Sequence, residues 1–142
     1  MKIFLQLLHI AIAMSVVVTV ADAAAPAAKS TKSAITIDAL NPRLFIVDGK
    51  QIVVNQEPIY FAKKIKDVRI TWHAPVGTNY TFGKDGIVID NAGDEITDCR
   101  AAKDGKSFSC LNKHTKPGKY KYTVTLEGKP AIAPLDPMLV ND

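Results

Sequence analysis

The chain is short of the residues and motifs that announce a chemistry. It has two cysteines, one tryptophan and three histidines, and no G-x-S-x-G, no phosphate-cradling glycine loop and no H-E-x-x-H occurs anywhere in it. Nothing therefore sets a nucleophile on a strained elbow, a phosphate on a helix start or a metal between paired histidines. Helical periodicity is missing throughout, and no internal repeat is visible. Charges are mixed along the chain rather than gathered in a long run of one sign. These absences point away from an enzyme and give no reason to expect a cofactor.

The single long apolar run lies at the N-terminus. Lys2 precedes Ile3 to Val20, and Ala21-Asp22-Ala23 follows, the order of a positive region, an apolar core and a small-residue cleavage signal. The run is also long enough to be read as an uncleaved anchor, for which roughly 18 apolar residues suffice. The small-residue exit favours a signal peptide over residues 1–23, with the mature chain starting near Ala24. No cysteine follows the run, so a lipoprotein anchor is excluded. The expected location is periplasmic or secreted, without stable membrane insertion after cleavage.

Residues 24–33 contain Ala, Pro, Lys, Ser and Thr but no bulky apolar side chain, which predicts a flexible leader unable to offset its own ordering. Residues 34–142 have the size of one small domain with one core. Removing residues 1–23 takes away Lys2 and Asp22 and leaves the net charge at +4. A soluble domain ordinarily carries a charge of that size. The one local excess, Lys63, Lys64 and Lys66, is too short to be a basic patch by itself, and no nucleic-acid partner is expected.

Period-two alternation recurs between turn residues. Ile35 and Ile37 suggest a first strand. Leu44 to Val47 and Gln51 to Val54 flank Asp48-Gly49, a hairpin signal, and their nearly continuous apolar character suggests burial on both faces or partial cover. Ile59 to Phe61 follows Pro58 and reads as a short edge strand. Val68, Ile70 and Trp72 form the apolar side of a strand over Asp67 to His73, with Trp72 as core anchor. Ile87 to Ile89 is another strand, Asp90 to Glu95 a turn, and Tyr120, Tyr122, Val124 and Leu126 give the clearest alternation. Met138 to Val140 suits a final edge strand. Some eight strands at this spacing predict an all-β fold, a single antiparallel β-sandwich.

Cys99 and Cys110 are placed by Asp104-Gly105 between them. A two-residue turn there sets Lys103 against Lys106, Ala101 against Phe108 and Cys99 against Cys110. Opposed strand residues lie about 4.5 to 5.5 Å apart at Cα, inside the disulfide window. Counting outward from such a turn makes the cysteines a hydrogen-bonded, wider pair. A three-residue loop would instead oppose Cys99 to Ser109. An exported chain with two cysteines ordinarily pairs them, and the intra-hairpin disulfide would contribute about 3 kcal/mol by loop closure.

Other groupings compete for these residues. Cys110-x3-His114, with His73 upstream, resembles the copper loop of the cupredoxins, which implies a trigonal copper site with a weak axial Met. Lys119 stands where that Met is expected, and Met138 lies far downstream. The resemblance needs Cys110 outside a disulfide; without it, His73 and His114 alone remain as metal candidates. Asp90, Asp94, Glu95 and Asp98 offer carboxylates but lack calcium-loop spacing. Lys119-Tyr120-Lys121-Tyr122 separates its lysines and tyrosines onto opposite faces, so the tyrosines read as core.

The segment Pro117-Gly118-Lys119-Tyr120-Lys121-Tyr122-Thr123-Val124 resembles the penultimate strand of many bacterial immunoglobulin-like domains. Trp72 ahead of a cysteine hairpin, and the late Leu135-Asp136-Pro137, fit small exported proteins of that kind. The resemblance implies an immunoglobulin-like sandwich, although Trp72 precedes both cysteines instead of lying between them. The expected function is an exported, non-enzymatic binding or structural module of the periplasm or cell envelope, with an envelope or extracellular protein or glycan as partner. The alternative is a cupredoxin-like metal binder using His73 and His114. No ligand-binding residue is identified by the sequence. Intact-mass measurement of the exported protein should give a chain beginning at Ala24 and two hydrogens lighter than its reduced form; a free-thiol mass, or one retaining residues 1–23, contradicts the pairing or the cleavage.

Overall fold

The computed structural model describes residues 38–142, which form nine strands and no helix. They are β1 Leu44–Val47, β2 Gln51–Val54, β3 Ile59–Phe61, β4 Val68–His73, β5 Ile87–Ile89, β6 Ile96–Ala101, β7 Ser107–Asn112, β8 Gly118–Val124 and β9 Met138–Asn141. The signal segment 1–23, the leader 24–33 and the strand expected around Ile35 and Ile37 lie outside the described residues. Strands β1, β2, β3 and β5 coincide with the segments that alternation and turn residues marked out.

Three sheets result. β1 and β2 make an antiparallel ribbon, β4-β7-β6 a three-stranded sheet, and β3-β9-β8-β5 a four-stranded one, each in that spatial order. Period-two alternation selects their inner faces. Ile70 and Trp72 of β4, Phe108, Cys110 and Asn112 of β7, and Tyr120, Tyr122 and Val124 of β8 are all buried. The rings of Trp72 and Tyr122 meet with centroids 5.5 Å apart, so the inner faces of the two larger sheets touch there. At one end of that contact Asn112 and Asn141 exchange side-chain amide bonds of 2.8 and 3.0 Å, wholly buried and mutually satisfied.

Two expectations about the sheets fail. The fold is not purely antiparallel, because β3 and β9 run parallel with Ile59 opposite Leu139. Strands far apart in sequence have no hairpin to force them antiparallel. For the same reason β9 is not an edge strand: it lies between β3 and β8, with Leu139 completely buried. Pro58 does precede an edge, as β3 ends the sheet.

The cysteine hairpin keeps its predicted register by a different turn. Ala101 faces Phe108 and Arg100 faces Ser109, yet of Asp104 and Gly105 only Gly105 has positive φ, at 65°. The loop is longer: the Ala102 N–H donates to Ser107 O at 2.8 Å and the Gly105 N–H to Ala102 O at 2.9 Å. Adding one residue to each side reverses the phase of the ladder, so Cys99 and Cys110 become the narrow, non-hydrogen-bonded kind of pair. Their disulfide is present, with Cα atoms 4.1 Å apart, and is compatible with an oxidising compartment. A bulge then follows, since Thr97 faces Leu111 while Arg100 faces Ser109; Asp98, with φ of 51°, absorbs the extra residue.

The longer turn exists because the hairpin tip is docked. The Phe82 N–H donates to Gly105 O at 2.8 Å, and a Cβ on Gly105 would stand 2.9 Å from the Thr81 Cβ. Gly105→Ala therefore meets both a positive φ and a collision, whereas Gly93→Ala meets a φ of 52° in open space. Urea denaturation should show Gly105→Ala destabilising by about 2–3 kcal/mol and Gly93→Ala by about 1 kcal/mol. Equal losses would mean that the docking contributes nothing.

Candidate functional site

A groove of about 220 Å³ is bounded by Arg43, Phe45 and Ile46 on one side and His73, Pro75 and Val76 on the other, and a larger adjoining concavity of about 350 Å³ extends along His73 to Thr78 as far as Lys106. The groove's geometry comes from two chain segments that run together and then part. The Thr71 N–H donates to Leu40 O at 2.8 Å and the His73 N–H to Pro42 O at 3.0 Å, and the pairing ends at a parallel bridge between Arg43 and His73. Beyond it β1 turns toward β2, with Asn55 accepting from the Arg43 N–H at 2.8 Å. Pro75 stops β4 on the other side, and Gly77, at φ of 74°, folds the chain back. Lys106 fastens this loop by donating to Thr78 O and Tyr80 O at 3.2 and 3.1 Å.

The rim of the groove is apolar and exposed. Val76 is 88% exposed and Phe45 47%. Phe45 faces Val53 across the ribbon, and Val47 and Val53 are exposed on the same side. Of the two arrangements expected of β1 and β2, burial on both faces is not found, and the outer face is only partly covered. Leu44 and Ile52 are buried, while alternation carries Phe45, Val47 and Val53 to a face left nearly half open.

No protein-family model matches the chain, and no curated protein matches it either.

The metal candidates are not brought together. His73 lies opposite Ser107 and Val68 opposite Asn112, so His73 stands at one end of the β4–β7 pair and His114 just beyond the other. A six-residue strand spans about 17 Å. Cys110 is bound to Cys99, which removes the thiolate that the cupredoxin resemblance requires. His73 Nε2 approaches Asn41 Oδ1 at 3.4 Å on the groove wall. His114 is buried, with Nδ1 2.7 Å from Ile65 O and Nε2 2.9 Å from Asp142 O; both ring nitrogens are engaged by backbone. Its role is to tie two loops to the end of β9.

The carboxylates of Asp90, Asp94, Glu95 and Asp98 also disperse. Asp98 bridges Arg69 and Arg100 on the outer face of β4-β7-β6, and the Arg69 guanidinium, then Arg100, holds its carboxyl below the usual range. Glu95 is buried beneath the loop after β7, where it accepts from the Thr115 N–H at 2.8 Å and from the Thr115 hydroxyl. Among the described residues no group of three or more His, Cys, Asp or Glu is placed to hold a metal.

Sequence reasoning missed Arg43, Phe45 and Val76 as site residues. The signal was present in β1 and β2, whose continuous apolar character outruns what one buried face consumes. It missed Glu95 as a structural hub, because nothing local ties Glu95 to Thr115.

The Thr115 hydroxyl, with the Thr115 and Lys116 N–H groups, holds the Glu95 carboxyl below its ordinary value of 4.5 against the opposing effect of burial. A depressed folded value means that the stabilisation is present above the ordinary value and is lost as pH falls through the lowered one. Chemical denaturation between pH 7 and pH 2 should give a shallower acid decline for Glu95→Gln than for the unaltered protein, and an unchanged slope would remove Glu95 from the acid response.

Proposed function

We propose that the protein is an exported, non-enzymatic binding module of the periplasm or cell envelope, and that the groove beside β1 receives an extended segment of a partner protein as an added strand. The two larger sheets are read as the layers of one immunoglobulin-like sandwich, with the β1–β2 ribbon at their margin. The observation that carries the reading is the open edge of β1. It pairs with β2 on one side, and on the other the only neighbour among the described residues is the bridge that closes the groove's end.

What supports β1 over the other edges is that β4 already pairs with residues 40–43, β2 is bridged to Ala133, and the rest are blunted. β6 is bulged at Asp98 and fringed by Arg69 and Arg100, β5 and β3 are three residues long, and β3 is preceded by a proline. Bulges, charges and shortness discourage strand addition. β1 instead offers backbone groups beside exposed Phe45 and Val76, the arrangement in which main-chain bonds give affinity and side-chain pockets give selectivity. Arg43 on one side and Lys106 on the other add positive charge to the adjoining concavity, which favours an acidic or carboxylate-bearing segment.

The test is site-specific photo-crosslinking in the exporting host, with a photoreactive phenylalanine analogue replacing Phe45 or, as control, the equally exposed Val88 on β5. Crosslinks to a protein from position 45 but not from 88 are expected, and Val76→Asp should abolish them. Silence at 45, or the same products from both positions, defeats the proposal.

A further inference from the structure

We propose, independently of the groove, that the end of the fold carrying Lys63, Lys64, Lys66, Lys113 and Lys116 binds peripherally to an anionic lipid surface. The first three lysines form only a short run in sequence. The structure doubles its reach, because the segment joining β3 to β4 and the loop joining β7 to β8 are held side by side. The Asp67 N–H donates to Lys113 O at 3.2 Å, and the His114 ring lies 2.7 Å from Ile65 O. Lys63, Lys66 and Lys116 then border one shallow depression. The loop is kept in this position by Glu95 beneath it.

These lysines are not neutralised within the fold. The ion pairs of the described residues involve Arg69, Arg100 and Lys121, so none of the five lysines has a carboxylate within ion-pair distance. Asp142 borders the depression, Asp67 follows Lys66 in the chain, and the Asp94–Glu95 turn adjoins Lys113 through the Lys113 N–H to Glu95 O bond; the five lysines outnumber these four acids. Glu95 beneath the loop interacts with Lys116 and offsets part of that one charge, leaving the Lys63, Lys64 and Lys66 side uncompensated by it.

The shape selects the kind of partner. The depression holds about 50 Å³, well under the roughly 300 Å³ at which small-molecule pockets begin. The one ring that lines it, His114, is buried and held at both nitrogens, so it offers no open face on which a sugar ring or a base could stack. Long side chains spread over two loops, four of them exposed and Lys113 half-buried, match a flat field of phosphates, where each lysine contributes additively. Tyr60, 51% exposed on β3 three residues before Lys63, has the amphipathic ring suited to the headgroup level.

The experiment is co-sedimentation of purified protein with vesicles of phosphatidylcholine alone or mixed with phosphatidylglycerol, in parallel with soluble dextran sulfate. Binding to the anionic vesicles only is expected, weakening as salt is raised from about 0.05 to 0.5 M because screening shortens the reach of the charges. The triple variant Lys63→Gln, Lys64→Gln, Lys66→Gln should lose roughly tenfold or more in vesicle partition. The control Lys84→Gln, Lys103→Gln, Lys129→Gln removes the same charge from exposed positions elsewhere and should lose little. Equal losses in both variants, equal binding to neutral vesicles, binding to dextran sulfate but not vesicles, or no binding at all would each overturn the proposal. Circular dichroism of both variants separates lost binding from lost folding.

Discussion

The contact between Trp72 and Tyr122 is the constraint on which the rest depends. Each ring is completely buried and each is held by a different sheet, so neither sheet has a finished inner face without the other. An aromatic pair of this kind contributes beyond its buried area, because the tilted arrangement suits the ring quadrupoles. Its polar atoms are left without partners: Trp72 Nε1 and Tyr122 Oη have no hydrogen bond among the described residues. Burial pushes the Tyr122 phenol far above its ordinary range. The fold accepts that cost at its centre, and the Asn112–Asn141 pair shows what full satisfaction looks like at the margin.

From this centre the two proposed surfaces follow by position. Trp72 is followed by His73 and Pro75, where β4 ends and the groove opens. At the opposite end of β4 the chain enters from Lys63, Lys64 and Lys66, and β7 leaves toward Lys113 and Lys116. One six-residue strand therefore separates an apolar edge from a basic one. The two proposed partners, a polypeptide segment and an anionic lipid surface, would therefore meet the protein at opposite ends of that strand.

Local signals were legible and distant ones were not. Asp48-Gly49 was a reliable hairpin because both residues do take positive φ, 51° and 65°, and the strands on either side fell where alternation put them. Asp104-Gly105 looks the same in sequence but makes another turn, since the tip is held by Phe82 across the fold. The disulfide survived that error because lengthening a loop evenly on both sides leaves the facing residues unchanged. The interior place of β9, the exposed side of the β1–β2 ribbon and the lysines gathered from two loops all depend on residues tens of positions apart. Periodicity carries no information about such pairings. The histidines illustrate the same limit: their sequence context suggested a shared site, and the register of β4 with β7 separates them.

The placement of β9 also dictates an order of assembly. Its partners β3 and β8 are not neighbours of one another, and Ile59 must wait for Leu139, eighty residues later, before its ladder exists. The cysteine hairpin needs nothing so remote, and both of its thiols are present long before β9 has been synthesised. A chain interrupted ahead of Met138 would carry a closed hairpin and a divided sheet, with two raw edges turned toward the gap. Until β9 arrives, β3 and β8 are open to any extended strand that passes.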